Sequence, residues 1–340
     1  VSKKLRSLII LLIGAGLAYW FVSQLEWQIV GTHLRQMRIW PLVVAAVLIN
    51  LTMVARSLRW QTLLAPITPV GFHNTFAATS IGFGSIFVFG RAGEVVRPVV
   101  LSLRERVQPS ATIATILIER LFDTMTVAAM FAFNLLFFTM PASRAGDLKM
   151  LGTIRTFGAL MSVGVLVGIV MLVLIRLKAE ALIRLLENFS RRFPEKLTRP
   201  LLNLVRHLAD GLSVLVNFQE LLKVVFYSAV VWVLVMSATW LVATAFDVDF
   251  SLSQAIFVMG FGLVGSVVPT PGGSAGAFHK AAQQGLIFLG LDQNLAAAIA
   301  IVYHLIAFGT PFIIGMVYLV RDGISLGRLR EMITQESAPA

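Results

Sequence analysis

Residues 71–106 read GFHNTFAATSIGFGSIFVFGRAGEVVRPVVLSLRER. The part over 71–90 is apolar enough to enter a bilayer, yet it is studded with glycine and followed by Arg91, Arg97, Pro98, Arg104 and Arg106. A single crossing there would put Arg97, Arg104 and Arg106 on the opposite side from Arg56 and Arg59, against the gathering of Lys and Arg on the cytoplasmic side. A hairpin over 71–98, broken near residue 90 and entering and leaving on the cytoplasmic side, removes the conflict.

The rest of the chain supports a bilayer setting. Of 340 residues, 57% are hydrophobic and 13% charged, about half the charged share of an ordinary soluble domain. A hydrocarbon core of ~30 Å needs roughly 20 apolar residues per helix. Blocks at about 7–23, 39–55, 110–139, 152–175, 224–246 and 294–320 meet that need. The first follows Lys3, Lys4 and Arg6, lacks a small-residue cleavage site and ends near Trp20 and Phe21, so we expect an uncleaved anchor. The formal charge of +11 lies between the apolar blocks, where it orients a membrane protein and does not call for nucleic acid. Without cysteine, the chain has no disulfides, thiolate metal sites or Cys nucleophiles.

With the hairpin drawn, the basic residues sort to one side. Only Arg35, Arg38, Arg144, Lys149, Arg155 and Lys280 fall outside the cytoplasmic set, and Arg120 sits within a helix. Both termini are expected in the cytoplasm, with the protein integral to the cell (inner, cytoplasmic) membrane. A second broken stretch, 252–291, then follows Asp247 and Asp249 on the external side. Two broken hairpins entering from opposite sides form the pattern of an inverted repeat. Gly82-Phe83-Gly84 is echoed by Gly260-Phe261-Gly262, a match that glycine-rich composition alone also produces. The expected fold is therefore an all-α polytopic membrane protein, a single transmembrane domain over 1–340. It holds about six full crossings and two re-entrant hairpins, with a first unit at 39–139 and a second at 224–320. Between them, 177–222 reads as two basic amphipathic helices separated at Pro194. The sequence leaves open whether these lie on the inner membrane surface or form a cytoplasmic hairpin, and whether the broken stretches cross fully.

Three constellations could carry chemistry. In Gly90-Arg91-Ala92-Gly93-Glu94-Val95-Val96-Arg97-Pro98, arginine forks can hold a phosphate. The flanking glycines would let backbone N–H groups approach it, and Glu94 can hold a guanidinium when no ligand is present. In Glu119-Arg120-Leu121-Phe122-Asp123, Glu119 and Asp123 share one helix face. Such charges within an apolar helix must face a cavity or one another, unless the helix starts late and leaves them at headgroup level. In Pro269-Thr270-Pro271-Gly272-Gly273-Ser274-Ala275-Gly276-Ala277-Phe278-His279-Lys280, prolines stop one half-helix and glycines turn the chain. Ser274 or a neighbour would cap the next half-helix, whose N-terminus is a ready anion site. His279 adds a polar group, although a lone histidine is more often a buried hydrogen-bonding residue, and His304 is a weaker candidate. No nucleotide-binding loop, paired metal-ligand motif, nucleophile elbow or dinucleotide fingerprint occurs.

Taken in order, the Gly90–Pro98 run, the Glu119–Asp123 helix and the Pro269–Gly273 turn resemble the flippase-like membrane family that includes the transmembrane region of lysylphosphatidylglycerol synthase/flippase. The resemblance covers essentially the whole chain. It implies a bundle with re-entrant elements that moves an anionic or zwitterionic phospholipid, or a polyprenyl-phosphate-linked lipid, between leaflets. Carried over by motif, Arg91, Glu94, Arg97, Glu119, Arg120, Asp123, Gly272, Gly273, Ser274 and His279 become headgroup-site candidates. Some relatives carry Glu where this chain has Phe278-His279, so headgroup preference does not transfer. The expected mechanism holds the headgroup near the midplane between Arg91, Arg97 and the half-helix after Gly273, with Glu94, Glu119 and Asp123 loosening the grip. The expected partners are a membrane lipid as substrate and the surrounding bilayer, without nucleic acid or cofactor; self-association into a homo-oligomer is left open. Two other classes stay open: a lipid-phosphate transferase, with Glu119 or Asp123 as base and His279 as acid, and an ion-coupled carrier of a small anion.

Overall fold

The computed structural model describes residues 12, 15–105, 107–138, 148–177, 217–323 and 327. The amphipathic helices expected in 177–222 fall outside the described residues apart from residue 177 and the segment from 217 on, and of the anchor at 7–23 the described part, residue 12 and residues 15–23, is helical.

Among the described residues the fold is entirely helical. In chain order the elements are α1 (Trp27–Gln36), α2 (Ile39–Leu64), α3 (Phe72–Phe89), a 3-10 segment (Gly90–Val95), α4 (Val96–Glu105), α5 (Pro109–Leu136) and α6 (Leu148–Leu177). Then follow α7 (Phe218–Thr244), α8 (Leu252–Ser266), α9 (Pro271–Phe288), α10 (Gln293–His304), a π-helical segment (Leu305–Gly309) and α11 (Thr310–Arg321). Four stretches are long and apolar enough to cross a membrane: Ile39–Leu64, Lys149–Val170, Phe218–Thr244 and Gln293–Arg321. These match four of the expected crossings. The fifth, α5, is 28 residues long but carries Glu119, Arg120 and Asp123 in its middle.

The first boundary moves. The apolar block read as 39–55 continues as one helix to Leu64, because Trp60, Leu63 and Leu64 are fully buried. Arg56 and Arg59, assigned from sequence to a cytoplasmic loop, instead lie inside α2 at 6% and 0% exposure. They therefore cannot serve as the loop charges on which the orientation argument counted. Acidic partners on α5 make their burial tolerable.

The helices pack in pairs. α2 and α7 share the most extensive interface, α5 packs on α6, and α3 packs on α11. The last contact is backbone to backbone, since a Cβ on Gly84 would stand 3.0 Å from the Gly315 Cα. The span Gln293–Arg321 contains the π segment just before Pro311. Proline has no N–H to return to Ala307, so the ladder widens there. Each broken hairpin folds on itself, α3 with α4 and α8 with α9. Their bends then meet. Gly90 (φ +59°) presses its backbone against the Thr270 carbonyl, where a Cβ would come within 2.7 Å of the oxygen.

Candidate functional site

The charged residues of α2, α4 and α5 converge on one cluster. Asp123 Oδ1 accepts from Arg59 Nη1 at 2.7 Å and from Trp232 Nε1 at 3.2 Å, while Oδ2 accepts from Arg56 Nη1 at 3.2 Å. Glu119 Oε1 accepts from Arg97 Nη1 at 2.7 Å and from Arg120 Nη2 at 3.1 Å. Arg59 Nη2 lies 3.0 Å from the same Glu119 oxygen, close enough for an ion pair but not aligned as a hydrogen bond. Arg120 Nη2 is also 3.2 Å from Asp123 Oδ2. The i, i+4 spacing of Glu119 and Asp123 sets both carboxylates toward α2, whose Arg56 and Arg59 are a matching turn apart. Since α5 begins at Pro109, these residues lie mid-helix, not at its end.

Aromatic faces complete the cluster. Arg97 stacks 4.1 Å from the Trp60 ring centroid, and Arg56 lies 4.8 Å from that of Phe83. Arg97 and Arg120 lie at 5.9 and 6.0 Å from the same Phe83 ring. Stacking on a π-face compensates a buried guanidinium that carboxylates only partly satisfy. The Arg56, Arg59, Arg97 and Arg120 guanidiniums face the carboxylates of Glu119 and Asp123. Glu94 lines the same hollow as Arg56 and Arg120. Among the described side chains, even with Glu94 included, the cations of the cluster outnumber the anions by four to three.

Two hollows adjoin this cluster. An internal cavity of about 150 Å³ is lined by Arg56, Glu94 and Arg120 on one side and by Ser274, Phe278 and Phe308 on the other. A larger cleft of about 650 Å³ lies between α5, α6 and α8. Arg120, Trp232, Leu263 and Ser266 line both, so the two spaces meet at Arg120. Its side chain is 32% exposed, whereas those of Arg59 and Glu119 are 0% exposed.

The second bend sits across the internal cavity. Gly272, Gly273 and Ser274 all adopt left-handed backbone, with φ of 75°, 62° and 64°. Glycine takes this conformation without strain, while at Ser274 hydrogen bonds must hold it. The Ser274 hydroxyl donates to the carbonyls of Val268 at 2.6 Å and Ser266 at 3.1 Å. It thus closes the end of α8 and is not the cap expected for α9. His304 Nε2 lies 3.1 Å from the Gly273 carbonyl. The His304 and His279 rings meet edge to face at 4.6 Å, and His279 stacks on Phe21 at 5.1 Å.

The sequence candidates therefore divide. Glu94, Arg120 and Ser274 line the internal cavity, and Asp123 and Arg120 line the cleft. Glu119 and Arg97 pair behind them and line neither. Gly273 backs onto Phe308. Arg91 belongs to the 3-10 segment by its backbone, and its side chain lies outside the described residues. The glycines beside it do not leave room for an anion: Gly90 abuts Thr270, and Gly93 packs on the Ser85–Ile86 backbone. Sequence reasoning missed Arg56, Arg59, Phe83, Trp232 and the anchoring role of His304. The continuing apolar run after Arg59 was the signal for the first two; nothing local marks the others.

Residues 7–315 match the family described as "Lysylphosphatidylglycerol synthase TM region". The chain belongs to this family. The match spans nearly every described helix, so in this lysylphosphatidylglycerol synthase TM region protein the ion cluster, both hollows and both bends fall within the shared domain. The matched region is transmembrane and brings no synthase domain with it. No curated protein was found to match the chain.

Proposed function

We propose that this protein translocates a lipid bearing a phosphate headgroup between leaflets, with Arg56 and Arg120 as the phosphate-binding pair. One observation carries this reading: cations in excess of carboxylates border a cavity inside an apolar helical bundle. A buried cationic surplus is costly unless an anion completes it, and arginine holds phosphate through paired donors. The family's description refers to a phospholipid, which supports a lipid over a small soluble anion. In this reading Glu119 and Arg97 set the arginines in place, and Asp123 competes with the phosphate for Arg120 so that the ligand can leave. On the same reading the two hairpins form an inverted repeat with both termini cytoplasmic, which their matching glycine-permitted breaks and the basic residues other than Arg56 and Arg59 support, and rocking at the Gly90–Thr270 contact exposes the site alternately.

A transferase fits the geometry less well. Asp123 receives donors on both oxygens, Glu119 lines neither hollow, and His279 packs against Phe21 and His304.

The test is transport of a fluorescent phospholipid in vesicles holding the purified protein. A lost charge-assisted hydrogen bond costs about 1.5–3 kcal/mol, so Arg120→Ala and Arg56→Ala should each slow translocation about tenfold or more. Wild-type rates in both folded variants would remove the site assignment. Recovery of chemically altered lipid by mass spectrometry would favour the transferase.

A further inference from the structure

The cleft between α5, α6 and α8 is not explained by a headgroup site alone. We propose that it is a binding groove for one hydrocarbon chain of the lipid whose phosphate contacts Arg120, an inference that rests on the reading above.

The groove is polar at one end only. Arg120, Asp123 and Thr124 stand at its inner end with Ser266 of α8, and the remainder is formed by groups such as Val127, Ala128 and Phe131. α5 and α8 line it in opposite senses. Ser266 shares the inner cavity with Arg120, while Gly260 packs against the Phe131 ring at the far end. A molecule lying along it would therefore meet charge at one end and hydrocarbon along its length.

The length of the groove indicates what occupies it. From Arg120 to Phe131 is eleven residues, which at about 1.5 Å per residue makes roughly 16 Å. That is about half of a ~30 Å hydrocarbon core, the depth one lipid chain covers in one leaflet. The groove is also open sideways, since Val264 and Val267 on its α8 wall are 71% and 65% exposed. A chain can thus enter from the bilayer while its phosphate moves inward past Arg120. The lack of a side chain at Gly260 lets an edge of the Phe131 ring reach the α8 backbone, and that contact bounds the far end of the groove.

The experiment uses the full chain in phosphatidylcholine vesicles doped with phosphatidylglycerol carrying a diazirine at the end of one acyl chain. After illumination, adducts are mapped by peptide mass spectrometry. We expect them at Val127, Phe131 and Val264, and fewer when Ala128→Phe fills the groove. Adducts confined to outward residues of α6, such as Leu160, Val163 and Leu166, would overturn the groove, and the wild-type result stands whether or not the filled variant folds. Arg120→Ala, measured for transport in the same vesicles, separates the two readings. Transport lost without groove adducts refutes the groove alone; groove adducts with transport unchanged in Arg120→Ala refute the headgroup site alone.

Discussion

The first hairpin, α3 to α4, and the second, α8 to α9, both break where glycine permits it, and their bends touch, yet different forces hold them. Arg97 ties the first to Glu119 on a neighbouring helix, with its guanidinium stacked on Trp60. The second has no ion pair at its bend among the described residues. Three left-handed residues there are fastened by the Ser274 hydroxyl and by His304. The repeated triplets show the same divergence. Phe83 sits among three guanidiniums, whereas Phe261 packs over Gly285 and borders the cleft. One hairpin contributes charge and the other contributes shape, and the internal cavity lies where they meet.

The strongest way to break this comparison is to remove the anion that holds the charged side together. Glu119→Ala leaves Arg97 and Arg59 facing each other in a buried space and should destabilise the protein by about 3–5 kcal/mol. Thermal unfolding in detergent would show it, and adding Arg97→Met should recover part of the loss. Little loss in Glu119→Ala would mean the ion cluster is not what secures the first hairpin.

On the uncharged side, Gly273→Ala should cost about 1–2 kcal/mol for left-handed backbone and more for its clash, because the new Cβ would stand 2.9 Å from Phe308. Gly272→Ala carries the same backbone strain with only ordinary contact, 3.4 Å from the Ala275 Cβ. The gap between the two variants, read from their midpoints, measures the packing part alone.

His304→Ala leaves the Gly273 carbonyl without its partner and should cost about 1–3 kcal/mol. Increased protease cutting or hydrogen exchange near residues 270–275 would locate the effect in the second bend. The smallest change in stability is expected from Arg120→Ala, under about 1 kcal/mol, because Glu119 and Asp123 keep their other donors and losing one cation of a cluster rich in them relieves like-charge repulsion. Its stability and its transport should therefore separate, and a large fall in midpoint would make Arg120 a structural residue.

Much of this arrangement was legible in advance. The apolar blocks gave four long crossings, the Gly and Pro runs marked both breaks, and the Glu119–Asp123 spacing put two carboxylates on one face. The errors share a cause. Arg56 and Arg59 read as loop charges because charge in an apolar run ordinarily ends a span, and only contact with α5 shows that they continue it. The glycines beside Arg91 looked like room for an anion, but neighbouring backbone fills that space. Ser274 looked like a cap for the following helix, but its hydroxyl turns back to the preceding one.

Residue order alone determined that the chain is helical, that it lives in a bilayer and where its helices break, since hydropathy, helical period and the backbone limits of Gly and Pro act locally. Which cations meet which carboxylates, which arginines face a hollow and which bend rests on which helix were decided by tertiary packing. Those facts depend on residues far apart in sequence, such as Arg56 with Asp123 or Gly90 with Thr270. Local pattern carries no information about such pairs, because the energy of a buried charge depends on what the rest of the fold brings beside it.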